Sequence, residues 1–181
     1  MNNPRRIIAD VAREYVGLRE TSTNRGPHLD KFWKATSYPS GSANREPWCS
    51  AFVSFCVQEA DRRSPALALR IPPTFPAVAQ WLPWAEQPET GCVVFHLGSV
   101  RFSPMAGDIL VLKPTVSHIT IVAADYTGDG MIHTIEGNTN EAGSREGDGV
   151  WEKSRAIKPA WSFIRVPAVG LSTGDLSSQA A

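Results

Sequence analysis

The sequence predicts an α+β fold in which N-terminal helices pack on an antiparallel β-sheet. Two observations carry this. Apolar residues recur at helical spacing through the first half of the chain, and after residue 90 they gather into short runs separated by explicit turns. Helices followed by mostly adjacent strands is the α+β pattern.

The first helix is expected over about 5–16, where Ile7, Ile8, Val11, Ala12, Tyr15 and Val16 form one stripe and Gly17 stands where a helix stop belongs. T-S-T-N-R-G-P is loop chemistry, and H-L-D-K-F-W-K-A predicts a short second helix. A third runs from Pro47 or Trp48 to Asp61, because Cys49, Phe52, Val53, Cys56, Val57 and Ala60 make a continuous face and Pro47 suits the first helical position. A-V-A-Q-W-L-P-W-A predicts a fourth, ended or kinked by Pro83. The stretch from Arg62 to Pro104 is otherwise Pro-rich and assigns no clear element to C-V-V-F-H-L beyond strand preference. D-I-L-V-L, H-I-T-I-V-A-A, M-I-H-T-I and W-S-F-I-R-V complete the strands, with D-Y-T-G-D-G as a turn between two of them. N-E-A-G-S-R-E-G-D-G, 140–149, is long for a hairpin turn. One domain over 1–167 and a small polar tail over 168–181 follow from this layout.

The 181 residues carry 18 basic and 18 acidic side chains, so no global field holds a polyanion or an anionic membrane, and nucleic acid is excluded as the main partner. No window approaches the roughly 20 apolar residues of a membrane span. The N-terminus, M-N-N-P-R-R-I-I-A-D-V, lacks the apolar core of a secretory signal. Cysteines at 49, 56 and 92 form no closed disulfide framework, which fits synthesis in a reducing compartment.

The chemistry turns on E-P-W-C-S-A-F-V, 46–53. A cysteine on an apolar stripe is most often a small buried hydrophobe, and Cys56 and Cys92 are read that way. Cys49 differs by lying in the first turn of its helix, where unpaired N–H groups and the helix dipole favour an anion such as a thiolate. The same groups suit an oxyanion formed on attack. A nucleophile also needs a base and a group that orients it. His118 opens a strand, and alternation places it with Thr120 and Val122. A hairpin through D-Y-T-G-D-G sets 120 opposite 136 and 118 opposite 138, so Glu136 or Asn138 reaches His118 across the ladder. The competing readings are a half-exposed His118 and a solvated turn carboxylate at Glu136. His133 points to the other face, and His28 and His96 have no evident partners. With no C-x-x-C or H-x-x-x-H pair and no acidic calcium loop, neither metal nor cofactor is expected.

P-W-C-S-A-F-V-S-F-C, M-A-G-D-I-L-V-L, S-H-I-T-I-V-A-A-D and I-E-G-N-T-N, in that order, resemble the CHAP amidohydrolase/peptidase domains of the NlpC-like, papain-type superfamily. A-R-E-Y-V-G-L-R-E and W-L-P-W resemble its lysin-like members, and the likeness covers about residues 7–166. It implies a papain-like fold with Cys49 as nucleophile, His118 as general base and acid, Glu136 orienting the imidazole and Asn138 as a further polar member of the site. The implied activity is hydrolysis of a peptidoglycan amide through a thioester. The bond is either the muramoyl–alanine amide or one in the stem or cross-bridge peptide.

Two rivals stand beside it: a non-catalytic wall or glycan binder using the six Trp as stacking faces, and a thiol protease or deamidase toxin acting on a protein. A chain expected to be monomeric, without signal or wall-binding module, fits a phage lysin released by a membrane pore. It fits equally an effector delivered by a secretion machine, which implies an immunity partner in the producer.

Overall fold

The first residue of the third helix is Cys49 itself, and the rest of the architecture is arranged around that helix. The structure, a computed structural model, describes residues 3–97, 102–112, 117–142, 147–158 and 161–169. The tail from 170 and residues 143–146 of the long 140–149 turn lie outside the described residues. Four α-helices precede the sheet among the described residues: α1 (Arg6–Arg13), α2 (Leu29–Lys34), α3 (Cys49–Arg63) and α4 (Trp81–Ala85). They are followed by β1 (Val93–His96), β2 (Ile109–Val111), β3 (Ile119–Val122), β4 (Met131–Thr139), β5 (Gly149–Ala156) and β6 (Ser162–Arg165). The strands form one antiparallel six-stranded sheet in the order β1-β6-β2-β3-β4-β5.

Several boundaries differ from the sequence expectation, each for a local reason. α1 ends at Arg13, and the chain turns through 14–17 before Gly17 takes its left-handed φ of +92°. Trp48, not Pro47, precedes the first helical residue of α3, so Pro47 lies outside the helix. Pro83 does not end α4: it stands in that helix's first turn, where a missing N–H costs no intrahelical bond. C-V-V-F-H-L becomes edge strand β1, paired with β6 from Val93↔Arg165 to His96↔Ser162. β4 runs on past the expected M-I-H-T-I to Thr139, and β5 pairs with it along its length.

α3 is buried through its first two turns, Cys49 to Ser54, because it runs between the other helices and the sheet. Phe32 stacks on Trp48 at 5.7 Å and meets Phe52 edge-on at 5.2 Å, pinning the start of α3 against α2. Ile119, Ile121 and Ile135 close this core from the sheet, and Leu110, Val122, Ile132 and Phe163 build a second cluster in the opposite phase. Beneath β2 and β6, the fork of Arg165 donates to the buried Asp108 carboxylate at 2.9 and 2.7 Å. Asp108 also accepts from the Met105 N–H at 2.8 Å, which closes the G-D turn into β2.

Five of the six tryptophans, 33, 48, 81, 84 and 161, are at most 4% exposed, and Trp151 lies half-buried under the Arg19 guanidinium. Among the described residues no helix is long and apolar enough to cross a membrane.

Candidate active site

The β3–β4 register aligns the candidate base, which immediately precedes β3, with its carboxylate on β4. Ile121 pairs with Ile135 and Val122 with Thr134, the register expected from the D-Y-T-G-D-G turn, and it directs His118 and Glu136 toward each other. The Nε2–H of His118 donates to Glu136 Oε2 at 3.0 Å, with His118 2% exposed and Glu136 fully buried. Neither the half-exposed histidine nor the solvated turn carboxylate is present.

Glu136 accepts from more than His118. Thr134 Oγ1 donates to Oε1 at 2.6 Å, Arg155 Nε donates to Oε1 at 2.5 Å, and Arg155 Nη2 donates to Oε2 at 2.6 Å. Burial pushes the Glu136 carboxyl up, but the Arg155 fork and His118 outweigh it and bring its pKa down to about 2. Burial alone would lower the His118 pKa. Cys49 first, then Glu136, through hydrogen bonding and charge, raise it instead to about 9. Cys49 is thus the strongest favourable influence on the imidazolium. The buried Nδ1 of His118 nevertheless has no hydrogen bond of ordinary geometry among the described residues, so the sulfur acts on the ring without closing one. With Nε2 committed to Glu136, Nδ1 is the nitrogen left to exchange a proton with the thiol.

Cys49 reaches this position because α3 lies unusually close to β4. A Cβ on Gly137 would stand 2.8 Å from ring atoms of both Phe52 and Trp48, so only glycine fits between the helix start and the strand. The strand bulges just beyond it: register shifts between Glu136 and Thr139, and Asn138 takes a left-handed φ of +57°. α3 has no side-chain cap and no acidic residue in its first turn, which leaves the N–H groups there available to an anion. Trp48 at the helix entry is buried and donates its Nε1–H to Glu20 Oε1 at 2.6 Å. Glu20 also lines a polar cleft of about 430 Å³ with Thr21, Asn24, Asn140 and Asp148.

Asn138 is fully buried, and both ends of its carboxamide lack a hydrogen-bond partner among the described residues. It stands on the strand end beside Glu136 but makes no bond to His118. The remaining thiols fit packing: Cys56 is completely buried, its pKa raised by desolvation, and burial pushes Cys92 up to about 11. His133 is exposed on the phase opposite Glu136, and His96 faces the Trp161 carbonyl at 3.1 Å. No group of three or more His, Cys, Asp or Glu side chains among the described residues is arranged to hold a metal ion.

Of the residues singled out in the sequence, the structure brings His118 and Glu136 into contact with Cys49 acting on the ring, and leaves Asn138 without a bond to them; Arg155, Thr134 and the close approach at Gly137 were not anticipated. The structure puts Trp151, Lys153 and Arg155 on the more buried phase of β5, but polar side chains stand in both phases of that strand, so the sequence carried little signal for it.

A comparison with protein-family models returns no match, and a comparison with curated proteins returns none either.

Proposed function

We propose that the chain is a cysteine-dependent hydrolase that cleaves an amide bond of peptidoglycan, on a papain-like fold of the CHAP type. The single observation that carries the reading is the buried His118, coupled to Cys49 on one side and bonded through Nε2 to Glu136 on the other. A thiol at a helix start, an imidazole and an orienting carboxylate are the parts that nucleophilic acyl transfer requires.

In this mechanism Cys49 Sγ, as thiolate, adds to the amide carbonyl carbon, and its proton resides on His118. The tetrahedral oxyanion is held by uncapped N–H groups of the first turn of α3. Collapse breaks the C–N bond as His118 Nδ1 gives its proton to the departing amine, leaving a thioester on Cys49. His118 then removes a proton from water, which adds to the thioester; Cys49 departs as the thiolate, with a carboxylic acid as the second product. Glu136 keeps the ring in one tautomer and stabilises the imidazolium at each stage. The polar cleft lined by Glu20 and Asp148, joined to the entry of α3 through the Glu20–Trp48 hydrogen bond, is where this reading seats a hydrophilic peptide or glycopeptide.

Wild type and Cys49→Ala, compared on isolated cell walls by loss of turbidity, test the proposal. Lysis by the wild type alone supports it. Equal lysis by both removes Cys49 from the chemistry, and deamidation or cleavage of a protein with intact walls transfers the same chemistry to a protein substrate.

A further inference from the structure

Glu136 has about four acceptor positions on its two carboxylate oxygens, and four hydrogen bonds fill them. Arg155 supplies two of the four. Its Cα stands opposite Ile132, four residues along β4 from Glu136, so the guanidinium runs along the sheet face past Thr134 to arrive. Lys153 is nearer in register, opposite Thr134, yet its ammonium turns to the carbonyls of Asn140 and Glu141. The cation that engages the carboxylate is therefore the one with a planar two-donor fork, the geometry a carboxylate accepts in bidentate fashion. Arg155 keeps 22% of its side chain exposed while Glu136 has none, so the arginine also links the buried carboxylate to the solvent-facing side of β5.

The charges balance only when Arg155 is included. A thiolate on Cys49, an imidazolium on His118 and a carboxylate on Glu136 leave one uncompensated negative charge in a buried space, and the guanidinium cancels it. Without it a desolvated carboxylate would bind a proton more readily and cease to be an ionic acceptor for His118. The groups facing Glu136 are His118 from the entry to β3, Arg155 from β5 and Thr134 from its own strand, with Cys49 of α3 acting through His118.

We propose that Arg155 is a positioning residue of this site: its bidentate fork holds Glu136 ionised and in one orientation, and so sets the lower pH limit at which the Cys49–His118 pair is reactive. The proposal deepens the hydrolase reading and rests on it for the role of that pair.

The test is alkylation of Cys49 by iodoacetamide as a function of pH, followed by peptide mass spectrometry so that Cys56 and Cys92 are read separately. It needs no peptidoglycan. Arg155→Met is expected to move the acid limb of the Cys49 profile upward by about one pH unit or more, as loss of a close opposite charge does. Arg155→Lys, which restores the charge without the fork, moves it less. In a Glu136→Gln background, Arg155→Met produces no further displacement. Where the Met variant does not fold, Arg155→Gln, which keeps a donor and removes the charge, carries the same comparison.

An acid limb that superimposes on wild type in a folded Arg155→Met or Arg155→Gln variant overturns the proposal, as does an equal displacement in the Glu136→Gln background. The predicted profile together with intact cell walls sinks the peptidoglycan reading and leaves the role of Arg155 standing. A Cys49 that no pH renders reactive in the wild type overturns both.

Discussion

His118 Nε2 and Glu136 Oε2 are 3.0 Å apart in a space with almost no solvent, and the two groups titrate in opposite directions from their ordinary values. His118 moves from 6.5 to about 9, so it binds its proton more tightly in the folded chain, and its stabilisation is complete below pH 6.5 and lost as pH rises toward 9. Glu136 moves from 4.5 to about 2, so its stabilisation is complete above pH 4.5 and lost as pH falls toward 2. Each displacement corresponds to at most about 3 kcal/mol. Urea unfolding across pH should therefore show a maximum between the two windows, near pH 5–6 by this pair alone. In Glu136→Gln the decline on the acid side should flatten. An unchanged acid limb in that variant would remove Glu136 from the account of acid stability.

Gly137→Ala should damage the site more than the fold. The new Cβ meets Phe52 and Trp48 rings at 2.8 Å, and both rings are fully buried, so the start of α3 must move away from β4. Overpacking of this kind costs about 1–3 kcal/mol. Activity should fall far more than that loss of stability explains, because Cys49 rides on the displaced turn. Parallel measurement of thermal unfolding and Cys49 alkylation checks this; full alkylation at the wild-type rate would show that the close approach does not position the thiol.

Asp108→Asn addresses the frame instead of the site. Asp108 and Arg165 are both buried, and removing the charge of one leaves the other desolvated without compensation. The expected destabilisation is about 3–5 kcal/mol by chemical denaturation. Below the transition the folded fraction should retain the wild-type pH profile of Cys49, since among the described residues the charges acting on His118 and Glu136 come from Cys49, Arg155 and each other and not from this pair. A profile that shifts would tie the two ionic centres together.

The parts of this fold governed by strong periodicity were legible in advance. Cys49, Phe52, Cys56 and Ala60 marked α3, and the D-Y-T-G-D-G turn defined a register that sets Ile121 opposite Ile135. β5 was not legible, because G-V-W-E-K-S-R-A mixes helix-favouring Glu, Lys and Arg with a polar residue in both phases, and alternation gives little contrast there. Arg155 was lost with it. The irregularity of β4 was hidden for a different reason: an unbroken ladder sets 138 opposite 118, whereas Gly137 and Asn138 form a bulge inside a longer strand. The burial of Glu136 is a tertiary fact, produced by neighbours on β3 and β5 that no local pattern announces.

The most direct test of the central claim is the mass of products formed from defined peptidoglycan fragments by the wild type and by Cys49→Ala. The account predicts that the wild type splits one amide, giving two products whose masses together equal the substrate plus one water, and that Cys49→Ala gives neither. Product formation by Cys49→Ala at the wild-type rate, or wild-type products from cleavage of a glycosidic bond, would contradict it.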